Sequence, residues 1–156
     1  MKSLVQNDRE TRSDVVQSPC YCAVLRKAAR RVSNFYDAHL KASGLKTTQF
    51  SLLGQLSLIQ SLPPTMNELS EYLVMDRSTL GHNLRPLLRR GWVALQPDAE
   101  DGRTRRVILT AKGARKFADS KKYWVKAQQE YEEAVGKDAA VELRSAMSNL
   151  TRLDVS

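Results

Sequence analysis

Between Gly91 and Thr110 the apolar residues stop recurring every three to four positions and begin to alternate; after Thr110 the helical spacing returns. Residues 92–97 read as a strand, Asp98 to Gly102 as a turn, and 104–109 as a returning strand with Arg105, Val107 and Leu109 on one face. An isolated two-stranded hairpin is marginal in water, so the helices around it must hold it. With every other patterned segment helical, the predicted class is α+β, mainly α.

The 156 residues suffice for one ordinary domain, and 42% hydrophobic content supplies a core. Residues 1–17 are polar and aperiodic and read as a flexible arm. Ser18-Pro19 is a helix-start signal, a capping serine followed by proline at the first helical position. From there Tyr21, Leu25, Ala28, Val32, Phe35 and His39 recur at helical spacing until Gly44. A helix from Thr47 or Thr48 carries Phe50, Leu53 and Leu56 on one face, and Pro63-Pro64 ends that segment. Thr65-x-x-Glu68 is a capping box that opens a third helix, with Met66, Leu69 and Leu73 inward. Asp76 caps a fourth that stops at Gly91. Thr110 caps a long helix whose apolar side is Ala114, Phe117, Trp124, Tyr131 and Val135. Asp138 caps the last one, which carries Leu143, Met147, Leu150 and Leu153.

Helix, tight turn, helix and basic hairpin form the sequence pattern of a winged helix-turn-helix, in which the second helix enters the ~12 Å wide major groove of DNA. The net charge of +8 points to a polyanion. Every basic residue of 76–110 is arginine, whose planar fork suits phosphate and the guanine edge. On the helix 76–90, Leu80, Leu84, Leu87 and Leu88 share one face and must pack inward. The opposite face holds Ser78, His82, Arg85 and Arg89, flanked by Thr79 and Pro86. Arg77 and Asn83 lie off its centre but within reach of the groove wall. Pro86 removes the bond to the His82 carbonyl, so a kink is expected there.

Residues 65–113 resemble the core of the MarR (multiple antibiotic resistance regulator) transcription factors. The resemblance is sharpest at Asp101-x-Arg103-x-x-x-Val107-x-Leu109-Thr110-x-x-Gly113, and Met75-Asp76-Arg77-Ser78-Thr79-Leu80 with Asn83-Leu84-Arg85-Pro86-Leu87 looks like one subgroup. The flanking helices 18–42 and 110–153 look like that family's dimerisation helices. The resemblance implies a homodimeric regulator on double-stranded DNA, usually a repressor, released by a small ligand or by oxidation. It makes Arg103 the wing-tip arginine of the minor groove and Asp101 the acid that orients it; Arg105 is a further wing contact. An aromatic or apolar effector would lodge near the junction of helices 18–42 and 48–59. The expected organisation is an arm (1–17), an N-terminal dimerisation helix (18–46), a DNA-binding core (47–110) and C-terminal dimerisation helices (111–156).

Cys20 and Cys22 fall in the first turns of the first helix, with Arg26 one turn beyond Cys22, an arrangement that favours thiolate. Residues i and i+2 diverge by ~200° around a helix, so an intrachain disulfide needs local unwinding whereas a link across a dimer does not. Inert thiols, a redox sensor and a shared thiolate metal site stay open, although the Cys-x-Cys pair of ArsR-type metal sensors lies in their helix-turn-helix instead. Catalysis finds little material: His39 and His82 are the only histidines, and no Gly-rich phosphate loop, Gly-x-Ser-x-Gly or His-Glu-x-x-His occurs. His39 reads as a core histidine. No enzyme activity, metal or cofactor is expected. No apolar run approaches the ~18 residues of a membrane span and no signal peptide opens the chain, so no membrane partner is expected and the cytoplasm is the expected compartment. Two alternatives survive, a winged-helix protein–protein adaptor and a non-specific chromosome-packaging protein. The second would waste the short polar side chains of the recognition helix.

Overall fold

A computed structural model describes residues 19–59 and 61–153. The order is α1 (Tyr21–Leu40), a 3-10 turn (Lys41–Ser43), α2 (Thr47–Leu58), α3 (Met66–Tyr72), α4 (Arg77–Arg89), β1 (Val93–Pro97), β2 (Arg105–Leu109), α5 (Ala111–Val135) and α6 (Lys137–Leu150). Two compact units divide the chain, residues 1–34 and 35–156. In the first, α1 begins later than Ser18-Pro19 suggests. Pro19 lies in a bend, and the Cys20 carbonyl accepts the first helical bond from the Val24 N–H at 3.1 Å. Cys20 therefore precedes the helix and only Cys22 lies in its first turn. Ser18 and the expected arm fall outside the described residues. Tyr21, Val24 and Leu25 are all exposed, and Leu40 is the one buried residue of α1.

The second unit is built on a leucine core. Leu53 of α2, Leu69 of α3 and Leu80, Leu84 and Leu87 of α4 are buried with Val93 and Val107 of the hairpin. The capping box forms: Thr65 Oγ1 accepts from the Glu68 N–H at 3.2 Å and Glu68 Oε2 accepts from the Thr65 N–H at 2.7 Å. The turn between α3 and α4 closes through Val74 N–H to the Glu71 carbonyl (3.1 Å) and Met75 N–H to the Ser70 carbonyl (2.9 Å). It forces Val74 to a φ of +51°, a left-handed conformation costing ~1–2 kcal/mol in a residue with a side chain. Pro86 does not interrupt α4, which runs unbroken to Arg89. Proline stands in its last turn and a half, and its own carbonyl still accepts from the Arg90 N–H at 3.2 Å.

The strands pair antiparallel from Val93 opposite Leu109 to Pro97 opposite Arg105. Thr110 caps α5 by accepting from the Gly113 N–H at 3.0 Å. The face that α5 turns to the body differs from the expected stripe. Gly113, Ser120 and Ala127 are buried with Phe117 half-buried between them, whereas Ala114, Trp124 and Val135 are exposed. Close approach of a helix selects small residues, which a reading by hydrophobic weight passes over. Asp138 does not cap α6. Gly136, at φ +95°, takes that place without a side-chain bond, and Asp138 lies within the first turn.

Candidate nucleic-acid interface

The recognition helix is aimed by its own N-cap. Asp76 Oδ1 accepts from the Thr79 N–H at 2.8 Å and Oδ2 from the Thr79 hydroxyl at 2.6 Å. Those bonds hold the Asp76 carboxyl below the usual carboxylate range and commit the Thr79 proton to the cap. Ser78, His82, Arg85 and Arg89 are exposed, as their place opposite the buried leucines requires, and Arg77, the first residue of the helix, is exposed as well. Asn83 is half-buried, its Nδ2 3.9 Å from Met75 Sδ.

The wing tip is built from two aspartates. Asp98 Oδ1 accepts from the N–H groups of Glu100 (2.9 Å) and Asp101 (3.0 Å), and the strand ends join through the Asp98 N–H to the Thr104 carbonyl at 2.9 Å. Asp101 accepts from the Arg103 backbone N–H at 3.0 Å and from the Thr104 hydroxyl at 2.8 Å. Asp101 therefore shapes the turn that carries Arg103 through the backbone. Arg103 and Arg105 are exposed. Between the wing and the helix-turn-helix lies a cleft of about 300 Å³ lined by Thr65, Met66, Asn67, Arg77, Arg103, Thr104 and Arg105. Three guanidinium groups around one opening suit a phosphate-bearing strand.

Sequence reasoning missed Arg106, which counts as one more arginine in a basic stretch. Its side chain is 17% exposed; Nε donates to Asp98 Oδ2, Nη1 donates to the Pro63 carbonyl at 2.6 Å, and Nη1 lies 3.7 Å from Glu68 Oε2. No sequence signal marks a partner 43 positions away.

Residues 43–104 match the sequence profile described as MarR family. The DNA-complexed crystal structure of the transcriptional regulator MosR of M. tuberculosis is 36% identical, spans 85% of this chain and 94% of that one, and superposes with a TM-score of 0.75. The chain belongs to the MarR family. Membership makes it a sequence-specific DNA-binding transcriptional regulator and a homodimer rather than an enzyme, and sets aside the adaptor and packaging alternatives. An uncharacterized HTH-type transcriptional regulator of Bacillus subtilis, YwoH, is 28% identical over 129 residues, 83% of this chain and 89% of that one. BpsR of Bordetella bronchiseptica shares the fold at 18% identity, with a TM-score of 0.76 over 90% of this chain and 99% of that one. Among the described residues no helix is long and apolar enough to cross a membrane, and no group of three or more His, Cys, Asp or Glu is placed to hold a metal.

His39 is occupied within the helical base. Its Nδ1 lies 2.9 Å from the Phe35 carbonyl and its Nε2 2.8 Å from Glu130 Oε2 of α5. The Phe35 carbonyl and then the Glu130 carboxylate favour the imidazolium and raise its pKa above 6.5, against opposition from burial and Lys126. Because the folded value lies above the unfolded one, the stabilisation is fully present below pH 6.5 and fades as pH rises through the folded value. In urea unfolding, wild type should lose stability relative to His39→Gln as the pH rises above 6.5, and parallel pH curves for the two would contradict this.

Proposed function

We propose that this protein is a repressor that grips a two-fold operator and leaves it when a small aromatic or apolar effector binds. Support comes above all from the exposed face of α4 standing beside the arginine-lined wing cleft. In this reading Ser78, Thr79, His82, Asn83, Arg85 and Arg89 meet base edges and groove walls. Arg77, Arg103 and Arg105 meet the backbone and minor groove. Asp101 supports the wing, and segments 18–46 and 111–156 carry the dimer while 47–110 carries DNA binding. The effector rests on the family resemblance. Relief of repression tenfold needs ~1.4 kcal/mol of coupling between the two ligands.

Titrating the chain's own upstream DNA and a random duplex at two salt concentrations tests this assignment. Arg103→Ala should weaken binding to both DNAs and reduce the salt slope by ~0.9 per lost phosphate contact. Arg85→Ala should instead reorder preference among operators by ~1–3 kcal/mol, the value of a good bidentate base contact. Equal losses from both variants on every sequence would refute the assignment of faces.

A thiol trigger is favoured by one observation, the exposure of both Cys20 and Cys22. In that reading oxidant releases wild type from DNA but spares the double Cys→Ser variant, whereas an organic effector releases both.

A further inference from the structure

Arg106 is the odd member of the wing. Arg103 and Arg105 point to solvent, yet Arg106 is largely enclosed and meets two carboxylates, Asp98 and Glu68. One guanidinium against two carboxylates leaves the cluster with a net negative charge, on the side of the molecule that meets a polyanion. Such a charge weakens every phosphate contact nearby. Both carboxyls are nonetheless held ionised below their usual range, Asp98 chiefly by the Asp101 and Glu100 N–H groups and Glu68 chiefly by Thr65, with Arg106 adding to each. Phosphate binding therefore gives no reason for this cluster.

Its connections do. Asp98 opens the wing turn, Pro63 belongs to the loop before α3, and Glu68 is the third residue of the Thr65 capping box. Beside them the Val107 N–H donates to the Pro64 carbonyl at 2.8 Å, and Thr65 pairs with Arg106 as an isolated bridge. The hairpin is anchored by the buried Val93 and Val107, but at its outer end Gln96 and Pro97 of β1 and Arg105 of β2 are exposed, and Arg106 is the side chain there that turns inward. A planar fork with donors on two sides can hold that outer end against α3 where a point charge cannot.

We propose that Arg106 is a positioning residue for DNA recognition: through Asp98, Pro63 and Glu68 it locks the wing against the start of α3 and sets the opening between Arg103 and Arg105 on one side and Arg77 on the other. The inference rests on the DNA-binding face described above. An operator whose backbone and minor groove match that opening is bound, and a duplex that engages fewer of these contacts gains little from it.

Asp98→Asn gives the sharpest test, because charge and positioning predict opposite signs. Removing a carboxylate near DNA should tighten binding if only electrostatics matter. The brace predicts the reverse for the operator. We expect Asp98→Asn to weaken operator binding about tenfold in fluorescence anisotropy on the full-length protein, with random-duplex binding unchanged or tighter. Arg106→Gln should weaken operator binding equally while leaving the salt slope on random DNA at the wild-type value, and Arg106→Lys should fail to restore it. The double variant should be no worse than Arg106→Gln alone, since both break one connection. An operator affinity at or above wild type in Asp98→Asn overturns the brace alone. So does a fall of ~0.9 in the salt slope of Arg106→Gln on all DNA, the mark of a direct phosphate contact. Wild type binding operator and random duplex alike overturns the recognition face together with the brace.

Discussion

Gly113→Ala should lower the melting temperature by roughly 6–12 °C, more than an added methyl normally does in a helix. A Cβ at that position would lie 1.9 Å from the Trp92 carbonyl oxygen, 2.8 Å from its carbon and 2.9 Å from Leu109 Cδ1. Carbon contacts are comfortable near ~3.5–4.0 Å. The leucine tip can swing aside, but the carbonyl is backbone and accepts from both the N–H and the hydroxyl of Thr110, each at 3.1 Å. Relief requires the start of α5 to move off the start of β1, which breaks the Thr110 cap as well. Overpacking costs ~1–3 kcal/mol and occasionally more, and an obstacle of backbone puts this case at ~3 kcal/mol or above. The ~1 kcal/mol helix preference of alanine over glycine is already set against it. Near 150 residues each kcal/mol is worth ~2–4 °C. Gly54→Ala is the control. Its Cβ would stand 3.2 Å from the tip of the Phe117 ring, which can yield, so the melting point should barely change. A circular-dichroism melt of Gly113→Ala within ~2 °C of wild type would remove the argument.

Gly113 also shows what pattern reading delivers and where it stops. The glycine closes the Leu109-Thr110-x-x-Gly113 run, which is legible in the sequence because its Thr110 cap on the Gly113 N–H is short-range chemistry. Thr65-x-x-Glu68, Asp76 and Thr110 satisfy helix ends within three residues, so their sequence signals coincide with their bonds. The alternation of 104–109 likewise placed Arg105, Val107 and Leu109 on one face, of which Val107 is buried, Leu109 half-buried and Arg105 exposed. What failed was set by distant parts of the chain. The inner face of α5 is set by what packs on it, among them Trp92 against Gly113 and α2 along the helix, and it buries Gly113, Ser120 and Ala127 while Ala114, Trp124 and Val135 stay exposed. The start of α1 moved from Ser18-Pro19 to Tyr21, and Gly136 displaced Asp138 at the head of α6, because a capping residue in sequence is only a candidate until the chain's path selects it. Arg106 was invisible for the same reason. Its chemistry is ordinary, and only the return of β2 alongside the Pro63-Pro64 loop turns it from a surface charge into an enclosed one.

The double variant Leu143→Glu with Met147→Glu should separate the protomers. On α6 only Ala140 is buried; Leu143, Met147 and Leu150 follow it on one stripe and remain 40%, 36% and 44% exposed within a single chain. A stripe of that kind on a helix packed against α5 is the surface that a second copy would cover. In a two-fold contact the same patch faces itself, so two substitutions place four carboxylates in one interface. An unpaired buried charge costs several kcal/mol, and four exceed what such a contact supplies. At micromolar concentration the mass by light scattering should fall from twice 17.6 kDa to 17.6 kDa. The helical signal should persist, since the leucines of α2, α3 and α4 pack within one chain. DNA binding should then fall unevenly. A dimer reads half-sites ~10–10.5 bp apart, and its second half-site binds at an effective concentration of order mM. Losing that linkage should weaken operator binding by ~10²-fold or more while a single half-site is bound much as before. Val141→Glu, about 120° from Met147 and about 160° from Leu143 around the same helix, should leave the dimer intact. A dimer that survives both glutamates would put the contact on another surface.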